Sequence, residues 1–363
     1  MVSCLYANLC RGAKCFLGKR WPSLVLRGGL ERSEPITGLG PVACAWLGSR
    51  KRAKQCEPGF RLALIGAKTF SLGKNLMKIS RRSALTTAGS ALAAASLLPR
   101  LEAADAASDF KGRIHHSVCK WCYPKVELED LAKAAASIGL RSIELLELKD
   151  IPVIQKYDLT CAMVSGVPGG ITEGLNRAAH HDSIVAWFEM AAPKVAAAGC
   201  KNIICFSGNR AGQSDDEGLE VCATGLKRVV AICEKHGVNA VMELLNSKVN
   251  HPDYQCDHTA WGVRLAQKVG SERFKLLYDI YHMQIMEGDV IATIRKSHPF
   301  IAHYHTGGVP GRNEIDETQE LNYPAIMKAI VETGYQGFVA QEFIPKRPDA
   351  LASLRQGVRI CDV

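Results

Sequence analysis

Two glutamates, one aspartate and one histidine each close a short apolar run: Val241-Met242-Glu243, Leu277-Tyr278-Asp279, His303-Tyr304-His305 and Ala340-Gln341-Glu342. Carboxylate oxygens with one imidazole form a donor set suited to Mn²⁺ or Mg²⁺, and also open to Co²⁺ or Zn²⁺. If the runs are strands whose ends face one point, Glu243, Asp279, His305 and Glu342 form a divalent metal centre. Side chains alternate along a strand, so His303 and His305 point the same way; one can ligate while the other supports the site or the substrate. His305 is assigned as the ligand. Any one of these acids alone reads as an ordinary rim residue, but four on consecutive strand ends read as a site.

The elements that must position them follow from the apolar pattern after Asp109, where short β-rich runs alternate with amphipathic helical runs. Eight strands are expected: 112–118, 142–146, 159–164, 202–206, 239–244, 275–280, 300–305 and 337–343. Helices are expected at 127–138, 151–156, 182–198, 217–235, 258–269, 290–296, 324–332 and 349–359, several ending at a glycine placed for a left-handed cap (Gly139, Gly199, Gly237, Gly270, Gly334). Eight strand–helix units in one domain predict a (β/α)8 TIM barrel, whose chemistry lies at the C-terminal strand ends. A doubly wound sheet is the alternative, but no Gly-rich phosphate turn follows the first strand.

The formal charge of +9 is unevenly spread. Residues 1–76 carry 13 Lys/Arg against 3 Asp/Glu, whereas residues 107–363 carry 28 against 31. The body is therefore mildly acidic, which argues against a nucleic-acid partner. No apolar stretch reaches the roughly 20 residues of a membrane span, so no stable membrane insertion is expected. From Met77 the chain has a basic stretch with Arg81-Arg82, an Ala-rich apolar run over 84–98 and an Ala104-Asp105-Ala106 site. Residues 77–106 are thus expected to be a twin-arginine-type signal peptide giving a periplasmic or exported protein, cytoplasmic if the signal is unused. Residues 1–76 are expected to be a non-native or disordered extension, with Met77 as the natural start, and 107–363 the barrel.

The segments Asp279–Gln284 (DIYHMQ), Val309–Glu314 (VPGRNE), Glu320–Tyr323 (ELNY) and Gly337–Phe343 (GFVAQEF) resemble the hydroxypyruvate isomerases, a branch of the xylose-isomerase-like barrel superfamily that also holds ketose 3-epimerases and endonuclease IV. The resemblance runs over about residues 110–360. It implies that Glu243 and Glu342 are a catalytic acid/base pair as well as metal ligands, that Asp279 and His305 complete the metal shell, and that His282 and Arg312 contact substrate oxygens. It also implies interconversion of hydroxypyruvate and tartronate semialdehyde through an enediolate. Two departures stand beside the substrate: His305 replaces the usual glutamine, as in ketose epimerases, and Gly307-Gly308 replaces the usual Ala-Asp.

Arg312 suits a bidentate grip on a substrate carboxylate, which favours a keto acid over a neutral sugar. The alternatives are a ketose 3-epimerase with the same metal and glutamates, and a non-catalytic sugar-binding barrel. A homo-oligomer is compatible with the sequence. Glu144 and Glu147, near the second strand end, have the pocket within reach but are expected at the rim or as helix caps. His115 and His116 alternate faces, so at most one points into the barrel, and a core or rim histidine is expected; His180-His181 is expected as capping or exposed. Trp121 and Tyr123 are expected at the pocket mouth or packed under loops. Most of the nine body cysteines read as small buried hydrophobes, and Cys119 and Cys122 as a pair without zinc-finger company.

Overall fold

The computed structural model describes residues 110–363; the readings made for 1–76 and 77–106 lie outside the described residues. Seven parallel strands are formed there: β1 (His115–Cys119), β2 (Ser142–Glu144), β3 (Asn202–Cys205), β4 (Asn239–Leu244), β5 (Phe274–Asp279), β6 (Ile301–Thr306) and β7 (Phe338–Gln341). Their order is β2-β1-β7-β6-β5-β4-β3.

The expected strand at 159–164 is not a regular strand, although it occupies the barrel's remaining place. Isolated parallel bridges join Thr160 to Ser142, and Val164 to both Leu146 and Ile203. The ladder fails at Ala162, whose N–H donates to Ser142 Oγ at 2.9 Å and whose carbonyl accepts from Asn202 Nδ2 at 3.0 Å. Side chains there take the backbone groups a strand would have paired. The segment still links β2 to β3, so the sheet curls into a TIM-type barrel.

Nine α-helices accompany the strands among the described residues: α1 (Leu128–Ile138), α2 (Ile151–Gln155), α3 (Ala178–Ala197), α4 (Asp215–His236), α5 (Thr259–Val269), α6 (Ile280–Met286), α7 (Val290–Ser297), α8 (Tyr323–Glu332) and α9 (Ala350–Cys361). The longest, α4, opens on a Ser214/Glu217 capping box with three acids in its first turn and stops at Gly237, φ 71°. The short α6 lay within no expected helix, because its seven residues carry too little periodicity.

Strand alternation sorts the barrel into two sets of side chains. Met163, Ile204, Val241 and Leu277 form a small apolar cluster of their own, two residues before Glu243 and Asp279 in the case of Val241 and Leu277. On β6 the corresponding position is His303, fully buried where a hydrophobe would be ordinary. The opposite faces, including Met242, Leu244, Leu276, Tyr278 and Tyr304, join the main core. All nine cysteines of the described region are buried free thiols, Cys119 and Cys122 included.

Candidate active site and metal centre

Glu243, Asp279, His305 and Glu342 come together at the C-terminal end of the barrel, each offering a ligand atom within 4.8 Å of the others. Sheet register accounts for this. Asp279 pairs with His305 across β5 and β6, and Glu243 with Leu277 across β4 and β5. Glu342 follows β7 directly, its N–H donating to the Thr306 carbonyl at 3.1 Å.

Asp279 also caps α6: one carboxylate oxygen accepts from the N–H groups of Tyr281 and His282, at 2.8 and 3.2 Å. Its other oxygen faces the site. That double duty explains the spacing of the DIYH segment, since an N-cap aspartate at a strand end turns the chain into a helix and aims His282 back at the acids.

The two glutamates are set differently. Glu342 accepts from Trp121 Nε1 at 2.8 Å, from His305 Nδ1 at 2.7 Å and from the Arg312 guanidinium. Glu243 Oε1 lies 3.4 Å from His305 Nδ1 and has no hydrogen-bond partner although buried. Burial alone would raise Glu342, yet Arg312 and His305 hold it well below the usual carboxylate range. Burial, reinforced by the Glu342 charge, pushes Glu243 up. Asp279 is pushed up to about 8 by burial and by Glu342, against the pull of Arg312.

Arg312 does not stand free as a substrate clamp. Its NH2 group bonds Asp279 Oδ2 at 3.1 Å and Glu342, and its guanidinium lies over the rings of Trp121 and Tyr281 at 5.2 and 5.3 Å. The loop after β6 holds it there. Gly308 and Asn313 form an antiparallel bridge, Arg312 N–H donates to the Gly308 carbonyl at 2.8 Å, and Arg312 has φ 58°. A Cβ on Gly308 would meet the Glu314 carbonyl oxygen at 2.3 Å, so this tight turn leaves no room for a side chain at Gly308. Glu314 ties the loop to the one after β7 and to α9, accepting from Lys346 N, Arg347 N and Ser353 Oγ.

His282 Nδ1 accepts from the Asn246 N–H at 3.1 Å, so the neutral ring carries its hydrogen on Nε2. Burial and the nearby Arg312 charge keep this ring neutral, its pKa well below the ordinary histidine value. Nε2 has no hydrogen-bond partner and lies 3.6 Å from Asp279 Oδ2. It is a donor left over for a ligand.

Glu144 overturns its expected rim role. It is fully buried at the end of β2, with Oε1 2.7 Å from His303 Nε2 and 2.9 Å from His305 Nε2. Burial opposes its charge, but the two histidines hold its pKa at about 2. The available sequence signal was the same-face pair His303 and His305, which calls for an inward hydrogen-bond partner without saying which residue supplies it. Glu147, by contrast, is exposed and pairs with Lys149, as a rim residue would. His181 is buried against the Leu175 carbonyl at 2.8 Å, and His116 is buried near Asp362; neither belongs to the site.

The residues present fit a divalent cation. Fully ionised, the carboxylates of Glu144, Glu243, Asp279 and Glu342 face one guanidinium and one imidazolium, a deficit of two positive charges in a buried space. The unpartnered Glu243 oxygen is a ready ligand atom. Beside the cluster opens a cavity of ≈ 450 Å³ whose lining includes Glu243, Glu342, Arg312 and His251 together with the apolar Leu145, Val167, Ile171, Ile204, Phe206 and Leu245. Gly166 and Gly170, from the first Gly-rich run, line it as well.

The model of the Xylose isomerase-like TIM barrel family matches residues 132–361, more than half of the chain. The chain is similar to a putative hydroxypyruvate isomerase of Homo sapiens, 29% identical over 233 residues that cover 62% of this chain and 78% of that protein. Among solved structures it is similar to an AP endonuclease, family 2, from Brucella melitensis, with TM-score 0.62 and 23% identity over 68% of this chain and 98% of that one. It is also similar to a D-psicose 3-epimerase in the presence of D-fructose, with TM-score 0.54 and 18% identity over 69% of this chain and 94% of that one. The two structural likenesses speak for the fold alone. On the match over 132–361, the chain belongs to the xylose isomerase-like TIM barrel family.

Proposed function

We propose that this protein is an aldose–ketose type isomerase that interconverts hydroxypyruvate and tartronate semialdehyde. The observation that carries this reading is the unequal setting of two buried glutamates on one cavity. Glu342 is held ionised by three donors, while Glu243 keeps an unpartnered oxygen and a raised proton affinity. A carboxylate with raised proton affinity is the better proton carrier.

On this reading Glu243 takes a proton from the hydroxyl-bearing carbon of hydroxypyruvate, and the C–H electrons form the double bond of an enediolate as charge moves to the keto oxygen. The same carboxyl, which exchanges its proton with solvent through the cavity it lines, returns a proton to the neighbouring carbon. Movement of the hydroxyl proton to the former keto oxygen completes the aldehyde. Glu342 stays ionised, and His282 Nε2–H donates to a substrate oxygen. A divalent cation held by Glu243, Asp279, His305 and Glu342 supplies a Lewis acid for the substrate oxygens. Arg312 is the guanidinium on the cavity and faces the substrate carboxylate while fixing Glu342. The named human relative, a putative hydroxypyruvate isomerase, supports the choice of substrate.

A second reading, ketose 3-epimerase, is favoured by one observation: ≈ 450 Å³ with an apolar wall leaves room well beyond three carbons. Turnover of hydroxypyruvate against ketohexoses, each with and without Mn²⁺, tests both. Hydroxypyruvate is expected as the better substrate; a preference for ketohexoses overturns the first reading in favour of the second.

Export by the twin-arginine route is part of the proposal, supported by Arg81-Arg82 and the apolar run that follows.

A further inference from the structure

We propose that Glu144 is the positioning residue of the metal centre: its carboxylate accepts the Nε2–H of His305 and so aims Nδ1 at the space shared by Glu243, Asp279 and Glu342. The inference rests on the divalent-cation reading above and adds a residue that neither touches substrate nor supplies a ligand to it.

Four observations carry it. First, a carboxylate only accepts, so the 2.9 Å contact from His305 Nε2 fixes the hydrogen on that nitrogen. Nδ1 also carries a hydrogen, donated to Glu342 at 2.7 Å with Glu243 at 3.4 Å; a cation in that space would displace this hydrogen, while Glu144 keeps the one on Nε2. Second, Glu144 lies behind the ring: it is fully buried and absent from the cavity wall, which its neighbour Leu145 lines instead. Third, the same Oε1 takes a second hydrogen bond at 2.7 Å, from His303. The two imidazoles meet edge-on with centroids 5.1 Å apart, so Glu144 and His305 are braced against one another. Fourth, Cys119 pairs with Glu144 in register and closes the remaining side, its Sγ 3.9 Å from Glu144 Oε1 and 3.8 Å from His305 Nε2.

A buried carboxylate on a barrel strand is costly unless compensated. The compensation here is two histidines, one of them drawn into the apolar layer of the barrel for no other contact that its position explains. A carboxylate–histidine–metal arrangement gives that cost a purpose: it selects one tautomer, holds the ring plane and raises ligand basicity.

The test is Mn²⁺ affinity by calorimetry on the purified protein, with melting of the ion-free form as a control. Glu144→Gln is expected to weaken Mn²⁺ binding by roughly 10- to 100-fold. Glu144→Asp, which keeps the charge but withdraws it from Nε2, should weaken binding too, and it serves if the Gln variant does not fold. In a His305→Gln background, Glu144→Gln should cost nothing further. Wild type that takes up no Mn²⁺ overturns the cation reading and this inference together. Wild-type binding with Glu144 variants of equal affinity overturns only this inference, as does a Glu144→Gln loss undiminished in the His305→Gln background.

Discussion

The indole N–H of Trp121 donates to Glu342 Oε1 at 2.8 Å, although the tryptophan itself is 42% exposed at the barrel mouth. A solvent-facing side chain thus engages one of the two central glutamates and leaves the other, Glu243, with an oxygen unclaimed. Replacing Trp121 by Phe keeps the ring under Arg312 and removes only this donor. Turnover should fall about tenfold, the effect of losing one hydrogen bond to a charged group, and unchanged turnover would show that the contact is idle.

Glu243→Gln and Glu342→Gln should each lower turnover by roughly 10²-fold or more with the fold intact. Steady-state kinetics beside a near-UV circular dichroism spectrum separates the two effects. Near wild-type rates in either variant would remove that residue from the chemistry.

Arg312 is held by Asp279 and Glu342 and also faces the cavity. Lys in its place keeps the charge but loses the planar fork. Arg312→Lys should raise the KM for hydroxypyruvate, and Arg312→Ala should nearly abolish its turnover, while a neutral ketose is affected less. Equal losses on both substrates would mean that Arg312 serves only the acids.

His116 supplies a pH signature far from the site. Burial lowers its pKa to about 4, whereas an unfolded histidine titrates near 6.5. Between these values the unfolded chain binds the proton and the folded chain does not, so stability rises with pH across that window and is lost as pH falls from about 6.5 to about 4. The full effect is about 3 kcal/mol. Urea unfolding at pH 7, 5.5 and 4.5 should show His116→Phe losing less stability on acidification than wild type; parallel losses would exonerate His116.

Replacing Arg81 and Arg82 by Lys in a reporter fusion that starts at Met77 should leave the reporter inside the cell, because the export receptor reads the arginine pair rather than its charge. Unchanged export would give the segment another role.

Where the sequence carries a local signal, it is legible. The strand Asn239–Leu244 appears with its expected bounds, since a continuous apolar run follows a left-handed Gly237 cap. The convergence of Glu243, Asp279, His305 and Glu342 was readable because each lies at or next to the end of such a run. The lost strand at 159–164 turns on Ser142 and Asn202 side chains capturing Ala162, an event between distant segments. Glu144 was given the rim rather than the pocket for the same reason: its partners His303 and His305 lie 159 and 161 residues away, where spacing is silent. Arg312 was singled out by type, but its grip on the acids depends on the Gly308–Asn313 turn.

The most direct measurement follows hydroxypyruvate by proton NMR in D₂O with Mn²⁺ and wild type, Glu243→Gln or Glu342→Gln. The wild type should deplete the signal of the hydroxyl-bearing carbon and form tartronate semialdehyde carrying solvent deuterium, and each variant should slow this by roughly 10²-fold or more. Wild-type exchange no faster than in buffer, or variants matching wild type, would contradict the assignment of this site as a two-glutamate isomerase.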